Sequence, residues 1–79
     1  GAVNSANQLD YRSRLQNHCQ AEKISLPEFR VTKEEGPDHA KIFEVDVFLR
    51  GESSGIGRGS TKKEAEQLAA REALEREGV

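Results

Sequence analysis

Two lysines side by side at the start of a helix are a poor arrangement for stability and a good one for holding an anion. The run Thr61-Lys62-Lys63-Glu64 has the form of a capping box, with Thr61 at the N-cap and Glu64 three residues on. The first turn that follows presents unpaired backbone N–H groups and the positive end of the helix dipole. Lys62 and Lys63 repel that dipole and each other, where acids would relieve it. N–H groups, dipole and ammonium groups act together once a phosphate sits on the helix end. The bland alternative is that Glu64 and Glu66 offset the lysines, which then only solvate the surface. The stretch from Ser53 to Lys63, which also holds Arg58, contains no acid, and this favours phosphate.

A second set of residues is neutral. Ser13, Gln16, Asn17 and Gln20 recur at i, i+3, i+4 and i+7, one face of a helix, and none is charged although 33% of the chain is. Such a face suits hydrogen bonding to neutral donors and acceptors; chance combined with adequate helix propensity is the bland account. His39 follows Gly36-Pro37-Asp38, which would hold a loop rigidly away from the body, although a lone loop histidine is more often a plain surface residue. Catalysis finds no support. Apart from those on the last helix, the carboxylate pairs are Glu34/Glu35, opening a loop, and Glu44/Asp46, on the wet face of a strand. Neither has a histidine or third acid at metal-binding spacing. Ser53/Ser54 lack an evident base, and no Gly-Lys-Ser/Thr phosphate loop follows a strand. The expectation is a binding module with no catalytic residue, metal site, cofactor or small-molecule substrate of its own.

The elements that must position these residues are legible. Tyr11, Leu15, His18 and Cys19 form the apolar side of a helix from about Asp10 to Glu22, capped by Asp10 or Asn7. Pro27 ends any helix, and Phe29, Val31 and Lys33 alternate with Arg30 and Thr32 in a short strand. Glu34 to Ala40 is turn-rich. Phe43, Val45, Val47 and Leu49 then alternate with Glu44, Asp46 and Arg50, the pattern of an antiparallel strand with one face buried. A turn over Arg50–Ser53 leads to a third strand from Ser54 to Arg58. There Gly55, Gly57 and Gly59 leave one face without side chains, so something approaches the backbone closely. Ala65, Leu68, Ala69, Ala73 and Leu74 give the last helix an apolar stripe of mostly small residues that can sit close to a sheet, and Gly78 is placed to end it.

With 79 residues the chain makes one small domain with a two-layer core and little room for a deep catalytic cleft. Residues 1–8 read as a flexible tail or linker and 9–79 as the domain. The opening Gly1-Ala2-Val3-Asn4-Ser5-Ala6 has neither the basic nor the apolar segment of a secretory signal, and no apolar run reaches the about 20 residues of a membrane helix. Cys19 is the single cysteine, so no internal disulfide forms, which suits a reducing, cytoplasmic setting; it reads as a small core residue. With His18 and His39 as the remaining soft ligands, none at paired spacing, zinc is not expected. The net charge of −2 argues weakly against nucleic acid, but its distribution counts for more: Glu72 to Glu77 holds three acids and one base, opposite in sign to the stretch before Lys63.

The segments Asp10–Gln16, Pro27–Val31, Gly36–His39 and Gly57–Ala70, in this order and spacing, resemble the double-stranded-RNA-binding domain, most closely the C-terminal domain of bacterial ribonuclease III. The likeness runs from about Asp10 to Gly78. It implies an α+β fold of order α-β-β-β-α, a three-stranded antiparallel sheet with both helices packed on one face. It also implies double-stranded RNA as partner, with little base reading; a span of about 16 base pairs is a known dimension of such domains. By similarity, Ser13, Gln16 and Gln20 enter one minor groove, and the loop with Pro37 and His39 enters the next. Ser60, Thr61, Lys62 and Lys63 hold the phosphates between. Many relatives carry a third lysine where this chain has Glu66, and glutamate is common where it has Asn17; two lysines and a net charge of −2 imply modest, strongly salt-dependent affinity. The implied parent is an endoribonuclease whose magnesium-binding nuclease domain, absent here, would also form its homodimer. The alternatives are a free-standing RNA-binding protein, a module of another RNA enzyme, or a protein-interaction or dimerisation domain that has lost RNA binding.

Overall fold

The structure is a computed structural model that describes residues 10–78. The expected tail, the alternative cap Asn7, the domain start at residue 9 and Val79 lie outside the described residues. The order is α1 (Tyr11–Ala21), β1 (Glu28–Glu35), a 3-10 turn (Asp38–Ala40), β2 (Ile42–Leu49), β3 (Glu52–Gly59) and α2 (Lys62–Glu77). The strands form one antiparallel sheet in the order β1-β2-β3. Both helices cover the same face, α2 on β2 and β3, and α1 against α2. The α-β-β-β-α architecture is as expected.

The clean alternation of β2 puts Val45, Val47 and Leu49 in the core, where they meet Leu15 and Cys19 of α1 and Ala65, Ala69, Ala70, Ala73 and Leu74 of α2. Tyr11, Ile24, Phe29 and Phe43 close its margin. Each fully buried leucine or valine contributes about 1.5–3 kcal/mol relative to exposure. The close approach foreseen at the glycines of β3 is that of α2 itself. A Cβ on Gly57 would overlap the Ala65 carbonyl oxygen and the Ala69 nitrogen, and one on Gly55 would lie 2.8 Å from the Ala73 nitrogen. Helix backbone rests directly on strand backbone, and only alanine fits in the seam. Leu68, expected in the buried stripe, is too large for it and stays 38% exposed; Ala70 is buried instead.

Two boundaries differ from expectation. β1 continues through Glu34 and Glu35, which pair with Phe43 and Ile42. A bulge between Val31 and Lys33 shifts the register there, so the two-residue alternation that marks a strand is interrupted. The β2–β3 turn contracts to Arg50 and Gly51, with φ of 54° and 78°. Positive φ at both positions is the type I′ geometry that matches the strand twist, and β3 starts at Glu52.

Candidate nucleic-acid interface

The two helix starts are treated oppositely. At α1 every early N–H group is taken by the protein. Gln67 Oε1 accepts from Tyr11 N at 2.7 Å and Arg12 N at 3.3 Å; Asp10 Oδ1 accepts from Ser13 N at 3.3 Å, and the Asp10 carbonyl from Arg14 N at 3.2 Å. Hydrogen bonds from Ser13 first, and then from Gln67, hold the Asp10 carboxyl below the usual carboxylate range. At α2 the capping box closes the later positions only. Thr61 Oγ1 accepts from Glu64 N at 3.0 Å, and the Thr61 carbonyl accepts from Ala65 N at 3.0 Å. Glu64 Oε1 reaches back to Ser60 N at 3.0 Å, one residue before the N-cap that the motif suggested. Lys62 N and Lys63 N donate to no acceptor among the described residues, and they stand at the positive end of the dipole.

The charges reinforce the contrast. Of the twelve lysines and arginines, only Arg14, Lys23, Lys62 and Lys63 lack an ion pair among the described residues. Glu66, which could have offset the lysines, is turned to Arg12 at 3.3 Å, and Glu64 is engaged with Ser60 N. Arg58 does not join the cationic end: it lies with Glu44 at 2.8 Å, lowering that carboxyl by its hydrogen bond. Strand alternation explains this, since Gly57 and Gly59 face α2 and Arg58 must face away. Lys62 Nζ lies 5.8 Å from the centre of the Phe43 ring. Lys41 Nζ, at the base of the β1–β2 loop, lies 6.0 Å from the same ring, so loop and helix start adjoin.

Ser13, Gln16, Asn17 and Gln20 are all exposed on α1. Ser13 is partly committed, because its hydroxyl donates to Asp10 Oδ2 at 2.8 Å. Pro37 and His39 are exposed on the loop, which Gly36 enters with φ of 94°. A Cβ at Gly36 would lie 2.6 Å from the Ala40 carbonyl oxygen, so glycine fits both the dihedral and the space. Ala40 N donates to the Pro37 carbonyl at 2.9 Å, and Lys41 braces the loop through Glu34 at 3.6 Å and Asp38 at 3.8 Å. Ser60, Thr61, Lys62 and Lys63 are exposed. Three elements thus carry the residues singled out from sequence: α1, the loop, and the start of α2. Gln67, Lys41 and Phe43 escaped that reading as site residues. Gln67 acts on groups more than fifty residues away, and Phe43 has the spacing of an ordinary core residue.

No cluster of three or more His, Cys, Asp or Glu side chains among the described residues could hold a metal ion. Burial first, and Glu77 second, push the Cys19 thiol up, which leaves it a core residue. No helix among the described residues is long and apolar enough to cross a membrane.

The chain is 46% identical over 67 residues to Ribonuclease 3 of Oceanobacillus iheyensis, covering 85% of this chain but 29% of that relative. It therefore spans less than a third of the length of this relative. Among solved structures it is similar to Arabidopsis HYL1, with a TM-score of 0.77 and 34% identity over 87% of this chain and 97% of that one. Dicer from Pichia stipitis shares the fold, with a TM-score of 0.72, at 24% identity over 90% of this chain and 34% of that one. Residues 11–77 match the model of the double-stranded RNA binding motif, and the chain belongs to that family.

Proposed function

We propose that this chain binds double-stranded RNA as the substrate-holding module of a ribonuclease III-type endoribonuclease. The observation that carries the reading is the open start of α2, with two N–H groups and two lysines that have no partner among the described residues, beside a start of α1 that is fully closed. One helix end is prepared for an anion and the other is not. In this assignment Ser60, Thr61, Lys62 and Lys63 hold backbone phosphates across the major groove. Ser13, Gln16 and Gln20 address 2′-hydroxyls and base edges in one minor groove, and Pro37 and His39 address the next. Amides and hydroxyls suit neutral groove partners, while ammonium groups suit phosphate. Preference for RNA over DNA follows from the 2′-hydroxyls and from A-form groove spacing, with little base reading.

The likeness to Ribonuclease 3 of Oceanobacillus iheyensis supports the assignment to that class of parent. Cleavage then belongs to a separate nuclease domain, which would bind magnesium and form the homodimer, in a cytoplasmic enzyme. The donor set described in this chain offers magnesium no site. Fluorescence-anisotropy titration of a ~20-base-pair RNA duplex, beside the same sequence as DNA, at two salt concentrations tests the binding reading. Salt-sensitive binding is expected, far tighter for RNA than for DNA. The double variant Lys62→Ala, Lys63→Ala should weaken binding to every duplex sequence and flatten the salt dependence by roughly two phosphate contacts. A folded double variant with unchanged affinity removes the phosphate assignment, and a folded chain that ignores RNA removes the RNA reading.

A further inference from the structure

We propose that Gln67 is a positioning residue that sets the spacing between the minor-groove helix and the phosphate-binding helix start, and so enforces the choice of A-form over B-form duplex. The proposal rests on the RNA-binding reading above and adds to it the part of the molecule that makes it a ruler.

Groove spacing can be read only by contact points whose separation is fixed. The neutral face of α1 and the start of α2 belong to elements distant in sequence; the shared core and the His18–Glu77 pair join the bodies and far ends of the two helices, and their starts need links of their own. Among the described residues two side-chain links join the start of α1 to the second turn of α2. One is the Arg12–Glu66 ion pair at 3.3 Å, with side chains 43% and 25% exposed, and a pair so wet holds position weakly. The other is Gln67. Its Oε1 accepts from Tyr11 N and Arg12 N, and its Nε2 donates to Asp10 Oδ1 at 3.1 Å, all three bonds partly buried. A single amide of α2 thus serves as part of the N-cap of α1. Both the acceptor and the donor are used, so the amide is fixed in orientation as well as place. Gln67 lies little more than one helical turn from Lys62 and Lys63, on the same rigid helix. Ser13 is bound to the same Asp10 carboxylate, so the lock continues into the neutral face. Loss of the amide would leave the first two N–H groups of α1 unbonded and let its start move relative to the lysines.

The test compares RNA and DNA affinities of the whole chain by anisotropy for four proteins: the wild type, Gln67→Ala, Gln67→Glu with Asp10→Asn, and Cys19→Ala. The second variant exchanges donor and acceptor, since a carboxylate at 67 still accepts from the two N–H groups and the amide nitrogen at 10 donates to it; the longer Ser13 N bond, which ends on the same Asp10 oxygen, is given up in the exchange. The third truncates the buried side of α1 without touching the lock. Gln67→Ala is expected to lose about tenfold in RNA affinity with little change for DNA, the equivalent of one or two hydrogen bonds. The exchanged pair should recover most of the RNA preference, and Cys19→Ala should keep it despite lower stability. Amide hydrogen exchange at Tyr11 and Arg12 should quicken in Gln67→Ala and slow again in the exchanged pair. An RNA-to-DNA ratio in Gln67→Ala no lower than in Cys19→Ala overturns the positioning role while the RNA reading stands. Should Gln67→Ala not fold, an exchanged pair that folds yet lacks the RNA preference overturns it equally. Failure of the wild type itself to prefer RNA overturns both, and is recognisable because it needs no variant.

Discussion

Single side chains in this domain act chiefly by being small, by being unpaired, or by reaching far along the chain. Gly57 is the case of size. Helix backbone lies where its Cβ would be, so Gly57→Ala must part α2 from β3 or bend the strand. We expect a loss of at least about 2 kcal/mol, read as a lowered urea midpoint, and retention of the wild-type midpoint would mean that the seam is looser than described. The lysines are the case of absent partners. Their types and position betray them in the sequence because they oppose the dipole, a conflict visible without coordinates. The glycine spacing of β3 likewise announced a close approach, although only the structure identifies α2 as the body that approaches. Gln67 is the case of reach. Glutamine on a helix is unremarkable in any local pattern, and its partners Asp10, Tyr11 and Arg12 are fixed only once the sheet, which separates the two helices in sequence, has brought them together on one face. Arg58 misled for a related reason: closeness to Lys62 in sequence said nothing about the face of the strand, which places it with Glu44.

At the scale of elements, what the sequence disclosed follows from periodicity. α1, β2 and α2 each keep one period from end to end, and each lies close to where its pattern placed it. β1 changes phase at its bulge, and its last two residues, Glu34 and Glu35, therefore read as loop in the sequence. The correction matters for the site, because a strand running to Glu35 leaves only a short, braced loop to carry Pro37 and His39. A short loop loses less freedom on binding than a long one. The same reasoning separates α1 from α2. α1 offers amides and a hydroxyl already turned to Asp10, with its helix end closed. It is thus built for neutral groove partners. Gln16, exposed at the middle of that face, is the side chain on which this role can be tried. Gln16→Ala should lower RNA affinity by about 1 kcal/mol, several-fold, and leave DNA affinity nearly unchanged. An equal fractional loss for both duplexes in anisotropy would move Gln16 from groove reading to general contact.

Over the whole molecule, charge is sorted by end in a way that the net value of −2 conceals. α2 spans 16 residues, about 24 Å, with two lysines at its start that have no ion-pair partner among the described residues and Glu77 at its close. Glu77 is the reverse of the lysines: it also opposes the dipole, yet it is answered by His18 at 3.1 Å and Arg50 at 3.4 Å. Through it the end of α1, the β2–β3 turn and the end of α2 are tied together. The protein thus neutralises its acidic end internally and leaves its basic end for a partner. This division has a consequence for acid stability. The His18 hydrogen bond foremost, with help from Arg50, holds the Glu77 carboxyl below the usual range against the opposing effect of burial; Asp10 is held down by Ser13 and Gln67, and Glu44 by Arg58 and Thr32. A carboxyl lowered in the folded state contributes stability that is complete above its unfolded value and is lost as pH falls through the lowered one. Unfolded carboxyls titrate at about 4, so the domain should keep its full share of this stability from neutral pH to about 5 and lose it progressively below 4. Urea midpoints at pH 7, 5 and 3 should therefore be nearly level across the first pair and fall across the second. Glu77→Gln, which cannot titrate, should start from a lower midpoint at pH 7 and fall less by pH 3. A variant that fell as steeply as the wild type would mean that the tie at Glu77 contributes nothing to the acid response, and that Asp10 and Glu44 carry it alone.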